Sequence, residues 1–352
     1  MPVLKLAIPT PLRTLFDYLP PDNVEAEALK PGVRLHVPFG KRQVTGYLVE
    51  LSADSKLGQS ALKQATALLD SGPLLSPGVL ALCNWATHYY QHPPGEVFQA
   101  AFPKAMRQGR AHRSNDEAGW ELSNRGKGLP SGALARSPKQ ALALKMLQDS
   151  KQLGTNSLKQ AGIQSPILKT LQDKGLIQRC EINHGDRAAA IGEALNPSAE
   201  QAKVLAGMRA NDRGFSCHLV EGVTGSGKTE IYLQRIADCL ERGDQALVLI
   251  PEIGLTPQTL ARFNSRFRAE IAVLHSGLSD AQRYRAWEAA RSGSVHIVIG
   301  TRSAVFTSLA RPGLIVVDEE HDQSFKQQDG FRYSARDVAV KRAQLEGCPI
   351  IL

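Results

Sequence analysis

The chain is 352 residues long, more than one ordinary domain requires, and 42% of its residues are hydrophobic, as in globular proteins with substantial cores. No apolar run reaches about 18 residues and the first residues lack the layout of a signal peptide, which excludes a membrane span and predicts a cytoplasmic protein. The five cysteines contain no Cys-x-x-Cys pair, so neither a zinc knuckle nor a disulfide framework is expected from Cys83, Cys180, Cys217, Cys239 and Cys348.

The formal net charge of +8 is concentrated in the middle of the chain. Between Lys104 and Glu181 there are 14 basic and 6 acidic residues, a local excess equal to that of the whole chain. A basic segment of this kind predicts a partner with a phosphate backbone. A soluble, lysine-rich surface is the alternative that charge alone leaves open.

Residues 1–103 are predicted to form a β-rich domain that ends in a helix. Val3–Ile8, Gly32–Val37 and Val44–Leu51 have the composition of short strands, and Pro and Gly residues separate them. A helix is predicted from Pro77 to Tyr90, because its large apolar residues recur at helical spacing.

The basic middle of the chain divides into a linker and a small helical domain. Residues 104–135 are rich in Gly and Ser and poor in apolar residues, which is typical of a linker or mobile loop. Residues 136–184 are predicted to form a winged-helix domain, with helices at Pro138–Gln148, Ser157–Ala161 and Ser165–Lys174 followed by a strand. Such domains dock a helix in a DNA groove or bind proteins, and both remain open.

Residues 190–352 are predicted to form a parallel sheet that is covered on both faces. Strands that read as continuous apolar runs, with amphipathic helices between them, indicate this arrangement. The predicted strands are Cys217–Val220, Ala246–Ile250, Ile271–Leu274, Val295–Ile299 and Leu314–Val317.

The clearest motif in the chain is a P-loop. Gly222–Thr229 matches G-x-x-x-x-G-K-[ST] without a gap, between a predicted strand and a predicted helix. Its glycines allow main-chain N–H groups to face phosphates, and the helix N-terminus adds a partial positive charge. We expect Lys228 to reach the β- and γ-phosphates of ATP and Thr229 to bind Mg²⁺. The residues predicted to bind nucleotide are Gly222, Thr224, Gly225, Ser226, Gly227, Lys228 and Thr229.

A second motif, Leu314–His321, is an apolar strand that ends in Asp-Glu-Glu-His. Its apolar residues place Asp318 at the carboxyl end of the strand, where ligands bind in open α/β sheets. We expect Asp318 to hold Mg²⁺ and Glu319 to polarise the attacking water, so both are predicted to be catalytic together with Lys228. His321 could couple the site to neighbouring loops or be structural.

Together the two motifs resemble those of superfamily 2 helicases. Three further segments, Ile250–Gln258, His275–Gly277 and Gly300–Phe306, closely resemble the bacterial replication restart helicases, the primosomal protein N′ family. The resemblance implies an ATP-dependent 3′-to-5′ DNA helicase that recognises stalled forks and initiates primosome assembly. It also implies an α/β fold, in which a RecA-like P-loop lobe is preceded by a β-rich 3′-DNA-binding domain and a winged-helix domain.

Ser324–Asp337 resembles the aromatic-rich loop of this family, which senses single-stranded DNA and relays that signal to the ATP site. In physical terms, exposed aromatic rings stack on bases and cations meet phosphates. An ordinary loop that uses its aromatic residues for packing is the alternative. The DNA-contacting residues implied in this half of the chain are Arg302, Phe325, Lys326, Phe331, Arg332 and Tyr333.

The resemblance extends to the N-terminal region, where the family captures the 3′ end of a nascent strand. By position, the residues that would line this DNA-binding pocket are Phe16, Asp17, Tyr18, Gly40 and Lys63. A carboxylate at Asp17 could accept a hydrogen bond from a terminal 3′-hydroxyl, which an internal nucleotide cannot supply. Without the family, these residues would be read as strand ends and turns.

The family also implies ligands and partners. Leu195–Gln201 resembles the motif in which a glutamine, here Gln201, reads the adenine edge of ATP. The implied cofactors are ATP and Mg²⁺, and the implied partners are forked and single-stranded DNA and single-strand-binding protein. Primosome proteins (PriB, PriC, DnaT and the DnaB loading system) are also implied as partners. The resemblance further implies that this protein is a monomer.

A family member would continue beyond Leu352 into a zinc-binding region and a second lobe that carries an arginine of the ATPase site. Zn²⁺ is therefore expected only in that region, and this chain is expected to bind nucleotide and DNA but to hydrolyse ATP poorly. A fork-binding, ATP-binding scaffold without helicase activity is the main alternative. Another superfamily 2 translocase, such as a RecG-like motor, is disfavoured by the N-terminal segments.

Overall fold

The computed structural model describes residues 2–22, 24–55, 57, 61–112, 118–129, 134, 137–150, 152–155, 158, 161–181, 190–192, 195–210, 214–223 and 225–352. The chain divides into two compact units. The first combines Met1–His112 with Arg187–Leu352, and the second is Arg113–Asp186.

The first part of the chain forms a six-stranded, mostly antiparallel sheet with strand order β5-β2-β1-β4-β3-β6. Its strands are β1 (Val3–Ala7), β2 (Phe16–Leu19), β3 (Arg34–Phe39), β4 (Arg42–Ser52), β5 (Lys63–Gln64) and β6 (Ala67–Leu68). Three helices follow, namely α1 (Pro77–Tyr89), α2 (Pro94–Ala100) and α3 (Lys104–Arg107). The predicted β-rich region with a helical end is therefore confirmed. Helix α1 begins where expected because the Ser76 hydroxyl accepts a hydrogen bond from the Val79 N–H, with Pro77 in the first turn.

The linker predicted for residues 104–135 is wrong in part. Helix α3 is tied to the N-terminal sheet, because the buried Arg34 guanidinium donates to the main-chain oxygens of Met106 (2.5 Å) and Arg110 (3.0 Å). Further along, Ala118–Leu122 is a strand. Composition could not reveal this, since the stabilising arginine lies about 70 residues earlier in the sequence.

The described residues of the second unit form a three-stranded antiparallel sheet of order β8-β7-β9 together with helices. Its elements are β7 (Ala118–Leu122), α4 (Asn124–Lys127), α5 (Pro138–Ser150), β8 (Gln152–Gly154), α6 (Ser165–Asp173) and β9 (Ile177–Glu181). Trp120, Leu147 and Leu171 lie in its core. The two longer predicted helices and the strand after them are confirmed, whereas the helix expected at 157–161 lies largely outside the described residues. The winged-helix assignment stays a prediction.

The last part of the chain alternates strands and helices around a six-stranded parallel sheet of order β11-β17-β16-β12-β15-β14. Its strands are β10 (Ala190–Ile191), β11 (Cys217–His218), β12 (Gln245–Leu249), β13 (Phe267–Arg268), β14 (Ile271–Leu274), β15 (Ile297–Gly300), β16 (Pro312–Val317) and β17 (Ile350–Ile351). Its helices are α7 (Ala199–Ala210), α8 (Lys228–Glu241), α9 (Pro257–Arg266), α10 (Asp280–Ser292) and α11 (Ala335–Glu346). Strands β10 and β13 form a separate antiparallel pair.

The parallel sheet is buried on both faces, as its continuous apolar strands predict. In β12, Leu247 and Leu249 belong to one hydrophobic core, while Ala246 and Val248 belong to the other. Because successive side chains of a strand point to opposite faces, only a strand covered on both sides is apolar throughout. Helices α10 and α11 cover the first face together with α1. No helix among the described residues is both long and apolar enough to cross a membrane.

Candidate functional site

The P-loop lies between β11 and α8, and its glycines adopt conformations that few other residues tolerate. Gly225 and Gly227 both have a φ of 85°, in the left-handed region. A Cβ atom on Gly227 would also lie only 2.3 Å from Nε2 of Gln201. Helix α8 begins directly after Gly227, at Lys228, so its free main-chain N–H groups face the loop. Thr224 lies outside the described residues.

Lys228 is held within the loop by main-chain oxygens. Its Nζ atom donates hydrogen bonds to the oxygens of Gly222 (2.5 Å) and Val223 (3.4 Å). The ammonium group is therefore placed among the N–H groups of the same loop. This combination of a point cation and oriented N–H groups suits a polyphosphate.

Gln201 lies beside the P-loop, as the resemblance implied, but its amide has partners in the chain itself. Nε2 donates to the main-chain oxygens of Ser226 and Gly227, both at 3.4 Å, and Oε1 accepts from the Ser198 N–H at 2.9 Å. The side chain thus bridges the start of α7 to the phosphate-binding loop. Its role as the adenine reader stays a prediction.

Asp318 follows β16 directly, at the carboxyl end of the sheet. Its N–H donates to the Leu249 oxygen at 2.9 Å, which continues the pairing with β12, and the Tyr232 hydroxyl donates to its Oδ2 atom at 3.3 Å. Burial raises the pKa of the Asp318 carboxyl, and the neighbouring Glu319 carboxylate raises it further. Glu319 itself has a φ of 50°, a strained conformation for a residue with a side chain.

These groups converge on one cleft of about 780 Å³. The residues of the predicted ATP site that line it are Gly225, Ser226, Gly227, Lys228, Thr229, Asp318 and Glu319. A hydroxyl and a carboxylate in one cleft fit the oxygen preference of Mg²⁺, so Thr229 and Asp318 are suited to hold it. Arg262 and Arg266 of α9 also line the cleft, and sequence reasoning missed them. Their only signal was a position soon after the Ile250–Gln258 segment.

The last two residues of the Asp-Glu-Glu-His motif lie at the edge of this site. The Glu320 carboxylate forms an ion pair with Arg336 at 3.0 Å. His321 is exposed, with Nε2 lying 3.7 Å from the Glu319 carboxylate. The motif therefore connects the cleft to the first turn of α11, which contains Arg336.

The aromatic residues of the loop at 324–334, here called the aromatic segment, are buried. Phe325, Phe331 and Tyr333 are only 2%, 8% and 7% exposed, and the rings of Phe331 and Tyr333 stack with their centroids 4.8 Å apart. Phe306 packs edge-on against Tyr333 at 5.2 Å. The prediction that these rings offer free faces to bases is therefore wrong for this conformation, in which they pack. The cations Lys326 and Arg332 are exposed.

Arg302 contacts the aromatic segment, and its predicted role in DNA contact stays a prediction. Its Nη1 atom donates to the main-chain oxygens of Ser324 (3.1 Å) and Lys326 (3.0 Å). The sequence could not reveal these contacts, because an arginine in a helicase motif can donate hydrogen bonds either to a phosphate or to main-chain carbonyl oxygens.

The N-terminal region has a cavity of about 640 Å³ that contains part of the predicted DNA-end pocket. Phe16 and Asp17 line it, whereas Tyr18, Gly40 and Lys63 do not. Side chains alternate along a strand, so the side chains of Asp17 and Tyr18 face opposite ways, and that of Tyr18 lies in the hydrophobic core. The hydroxyl of the buried Tyr18 instead donates to the Pro38 oxygen at 2.9 Å. The cavity also includes residues that sequence reasoning missed, namely Lys5, Arg13, Asn84, Thr87, His88, Gln91 and His92.

The cavity of about 640 Å³, here called the end cavity, includes the Asp17 carboxylate among its polar groups. The Oδ2 atom of Asp17 accepts hydrogen bonds from Lys5 Nζ at 2.8 Å and from the Ser55 hydroxyl at 2.5 Å. Both partners fix its orientation. Within the part of the chain that the structure describes, no group donates to its Oδ1 atom, so this oxygen can accept a hydrogen bond from a ligand.

Comparisons with known proteins match both the N-terminal region and the P-loop lobe. Residues 5–103 match the family model of a 3′DNA-binding domain (3′BD), and residues 197–348 match that of a DEAD/DEAH box helicase. The chain is 42% identical to a "Replication restart protein PriA" of Haemophilus influenzae, over 98% of this chain and 48% of that protein. It is 29% identical to the protein of the same name of Bacillus subtilis, over 96% of this chain and 51% of that protein.

These matches confirm the resemblance to the replication restart helicases and the α/β fold with an N-terminal DNA-binding domain and a helicase lobe. The chain spans about half the length of the curated relatives that it matches.

Proposed function

Because the chain carries a 3′-DNA-binding domain and a DEAD/DEAH box helicase lobe like those of replication restart proteins, we propose that it is the part of a fork-specific DNA helicase that binds ATP and the DNA 3′ end. The whole protein would unwind DNA 3′ to 5′, recognise stalled or abandoned forks and initiate primosome assembly. The observation that carries this proposal is the cleft in which Lys228, Thr229 and Asp318 lie together.

The chain's own residues account for nucleotide binding in this proposal. The N–H groups at the start of α8 and the Lys228 ammonium bind the phosphates, and Thr229 and Asp318 hold Mg²⁺. Magnesium, when bound, neutralises charge on the β- and γ-phosphate oxygens. Glu319, directly beside Asp318, orients the attacking water and accepts its proton.

The elevated pKa of Asp318 fits a metal-binding role. Burial and the adjacent Glu319 make two carboxylates costly in this cleft when no cation is close. A divalent cation removes this penalty, because it favours the ionised form of both groups. The repulsion between the Asp318 and Glu319 carboxylates, which is unfavourable in the free protein, therefore favours the binding of Mg²⁺.

We propose further that the end cavity recognises a terminal 3′-hydroxyl. The Asp17 carboxylate accepts a hydrogen bond from the 3′-hydroxyl, and Lys5 and Ser55 hold the carboxylate in place. Arg13, which lines the same cavity, binds the neighbouring phosphate. An internal nucleotide has no free 3′-hydroxyl, so it cannot donate this hydrogen bond to the Asp17 carboxylate.

The finer features of the function rest on the resemblance. They comprise activity in the cytoplasm and partnership with single-strand-binding protein, PriB, PriC, DnaT and the DnaB loading system. The alternative is a fork-binding scaffold. It differs from the helicase in that bound nucleotide changes only the conformation of the protein and does not drive unwinding. DNA-stimulated ATP turnover by the full-length protein, lost in Lys228→Ala, distinguishes the helicase from the scaffold.

The end-binding role is tested by the affinity of this chain for two forks that differ in one atom. One fork carries a 3′-hydroxyl on the nascent strand at the junction, and the other carries a dideoxy end. We expect the first to bind about tenfold more tightly, since a hydrogen bond to a charged group contributes about 1.5–3 kcal/mol.

Asp17→Ala should remove this preference, and the matched control Asp22→Ala should retain it. Asp22 lies in the same region, but its carboxylate bonds to Gln64 and does not line the cavity. Equal binding of both forks by the unaltered chain would refute the end-binding role.

A further inference from the structure

The residues that follow α1 lie between the end cavity and the aromatic segment. His92 lines the cavity, and its ring centroid lies 5.1 Å from that of Phe331. Its Nε2 atom is held by the Glu96 carboxylate at 2.7 Å. One imidazole therefore forms part of the cavity wall and also packs against the aromatic segment.

Tyr90 makes a second, polar connection to the same segment. Its hydroxyl accepts a hydrogen bond from the Ser334 N–H at 3.2 Å and donates to the Ser334 oxygen at 3.5 Å. Its ring packs edge-on against Phe331 at 5.8 Å. Burial raises the pKa of Tyr90 to about 12, so the hydroxyl stays neutral and can both donate and accept at physiological pH.

Gln91, between these two residues, has a left-handed backbone with a φ of 51°. Such a conformation is costly for a residue with a side chain and persists only when its surroundings hold it. The Gln91 amide donates to the His88 oxygen at 2.6 Å, and both residues line the end cavity. A ligand in the cavity would thus lie against Gln91 and His88, whose hydrogen bond helps to maintain this turn.

The other end of the aromatic segment leads to the ATP site. The Ser334 hydroxyl accepts from the Asp337 N–H and so caps α11. Arg336 in the first turn of α11 pairs with Glu320, and Glu320 is two residues from Asp318. Tyr90 directly precedes two residues that line the end cavity, Gln91 and His92. Its hydrogen bonds to Ser334 therefore connect that turn to the start of α11, and Arg336 of α11 pairs with Glu320 near the strand end.

We propose that Tyr90 and His92 are positioning residues that couple occupation of the end cavity to the aromatic segment, and through it to nucleotide binding. This inference rests on the proposed function, in which the cavity receives a DNA 3′ end. A terminal nucleotide shifts the turn at Tyr90–His92, and the aromatic segment moves from the buried arrangement held by Arg302. The buried rings would then become available to single-stranded DNA.

The inference is tested by thermodynamic coupling, which must be reciprocal between two binding sites. The dissociation constant of a non-hydrolysable ATP analogue with Mg²⁺ is measured with and without a saturating fork that has a 3′-hydroxyl. We expect the two constants to differ by about fivefold or more in the unaltered chain. Tyr90→Phe keeps the ring but removes both hydrogen bonds to Ser334, so the ratio should fall towards one while each ligand still binds.

Tyr89→Phe is the matched control, because it removes the same hydroxyl from a neighbouring exposed tyrosine that is stacked on Trp85. It should leave the ratio unchanged. His92→Gln supplies a second variant that removes the ring contact with Phe331, and it should also lower the ratio. A purely structural role would lower the unfolding temperature without altering the ratio.

Amide hydrogen exchange at 326–334 gives an independent measurement. DNA should accelerate exchange there in the unaltered chain and in Tyr89→Phe, but not in Tyr90→Phe. If fork and nucleotide both bind and the ratio is one in the unaltered chain, the coupling is refuted while the proposed function stands. If the 3′-hydroxyl fork does not bind at all, the proposed function fails first.

Discussion

Asp318 is predicted to lower the free energy of unfolding of the free protein while it contributes to the proposed magnesium site. Its carboxylate is half-buried beside Glu319, and these two features raise its pKa above the ordinary value for aspartate. The ionised form is therefore less favourable in the folded protein than in the unfolded chain. At neutral pH this difference lowers the free energy of unfolding.

Asp318→Asn is accordingly expected to stabilise the free protein while it weakens magnesium-dependent nucleotide binding. The amide removes the charge but keeps the shape, so the midpoint of thermal unfolding should rise at pH 7. This rise in the unfolding midpoint should be largest at pH values above the pKa that Asp318 has in the folded protein. It should disappear as the pH falls through that pKa towards the pKa of the unfolded chain, because the wild-type carboxyl is then protonated in both states.

Thermal unfolding of both proteins between pH 7 and pH 4 measures this difference. Glu270→Gln, at an exposed carboxylate outside the cleft, is the control and should change little. A lower midpoint for Asp318→Asn than for the unaltered chain at pH 7 would contradict the assignment of a costly charge.

Some residues of the sites could be predicted from the sequence and others could not. Lys228 and Asp318 were predictable because each belongs to a short contiguous motif whose local structure fixes its position. Arg262 was not, because it lies in α9 beyond the end of the Ile250–Gln258 segment and belongs to no motif itself. The roles of Tyr90 and Arg302 depend on contacts between distant parts of the chain, which no local pattern encodes.

At the scale of elements, the segment at 103–112 connects the N-terminal sheet to the helicase lobe. Arg34 and Asp70 form a fully buried ion pair at 2.6 Å, and Arg34 also donates to two carbonyls of this segment. At its end His112 bonds to the buried Glu288 of α10 at 2.8 Å. Each end is thus fixed by a buried polar contact.

Arg34→Met is expected to lower the free energy of unfolding by about 3–5 kcal/mol, because it leaves Asp70 as an uncompensated buried charge. Methionine retains much of the side-chain volume, so packing alone does not explain the loss. Lys104→Met is the control, since Lys104 and Asp280 form an exposed ion pair at 3.8 Å whose loss should cost at most about 1 kcal/mol. Urea denaturation measures both, and equal losses would show that the buried pair does not hold these elements together.

Elements were predictable where burial imposes a strong pattern. In β12 and β16 every residue facing the two cores is apolar, so the strands were visible as continuous runs. The segment at 104–135 has no such pattern, and its structure comes from long-range partners such as Arg34 and from pairing of β7 with β9. Sequence reasoning therefore interpreted ordered residues there as a linker.

At the scale of the whole molecule, the region that matches a 3′DNA-binding domain and the lobe that matches a DEAD/DEAH box helicase lie in one compact unit, while residues 113–186 form another. The first unit shares a hydrophobic core between α1 and helices α10 and α11 of the lobe. The coupling proposed above between the two predicted ligands would act within this one unit. The account nevertheless depends on one claim, that the cleft around Lys228 and Asp318 binds ATP with Mg²⁺.

Isothermal titration of the chain with a non-hydrolysable ATP analogue tests this claim most directly. We predict saturable binding that requires Mg²⁺ and weakens at least about tenfold in Lys228→Ala, since a charge-assisted contact to phosphate is lost. Lys203→Ala, at an exposed position on α7, should bind as the unaltered chain does. Absence of binding, or binding that is indifferent to Mg²⁺ and to Lys228→Ala, would contradict the account.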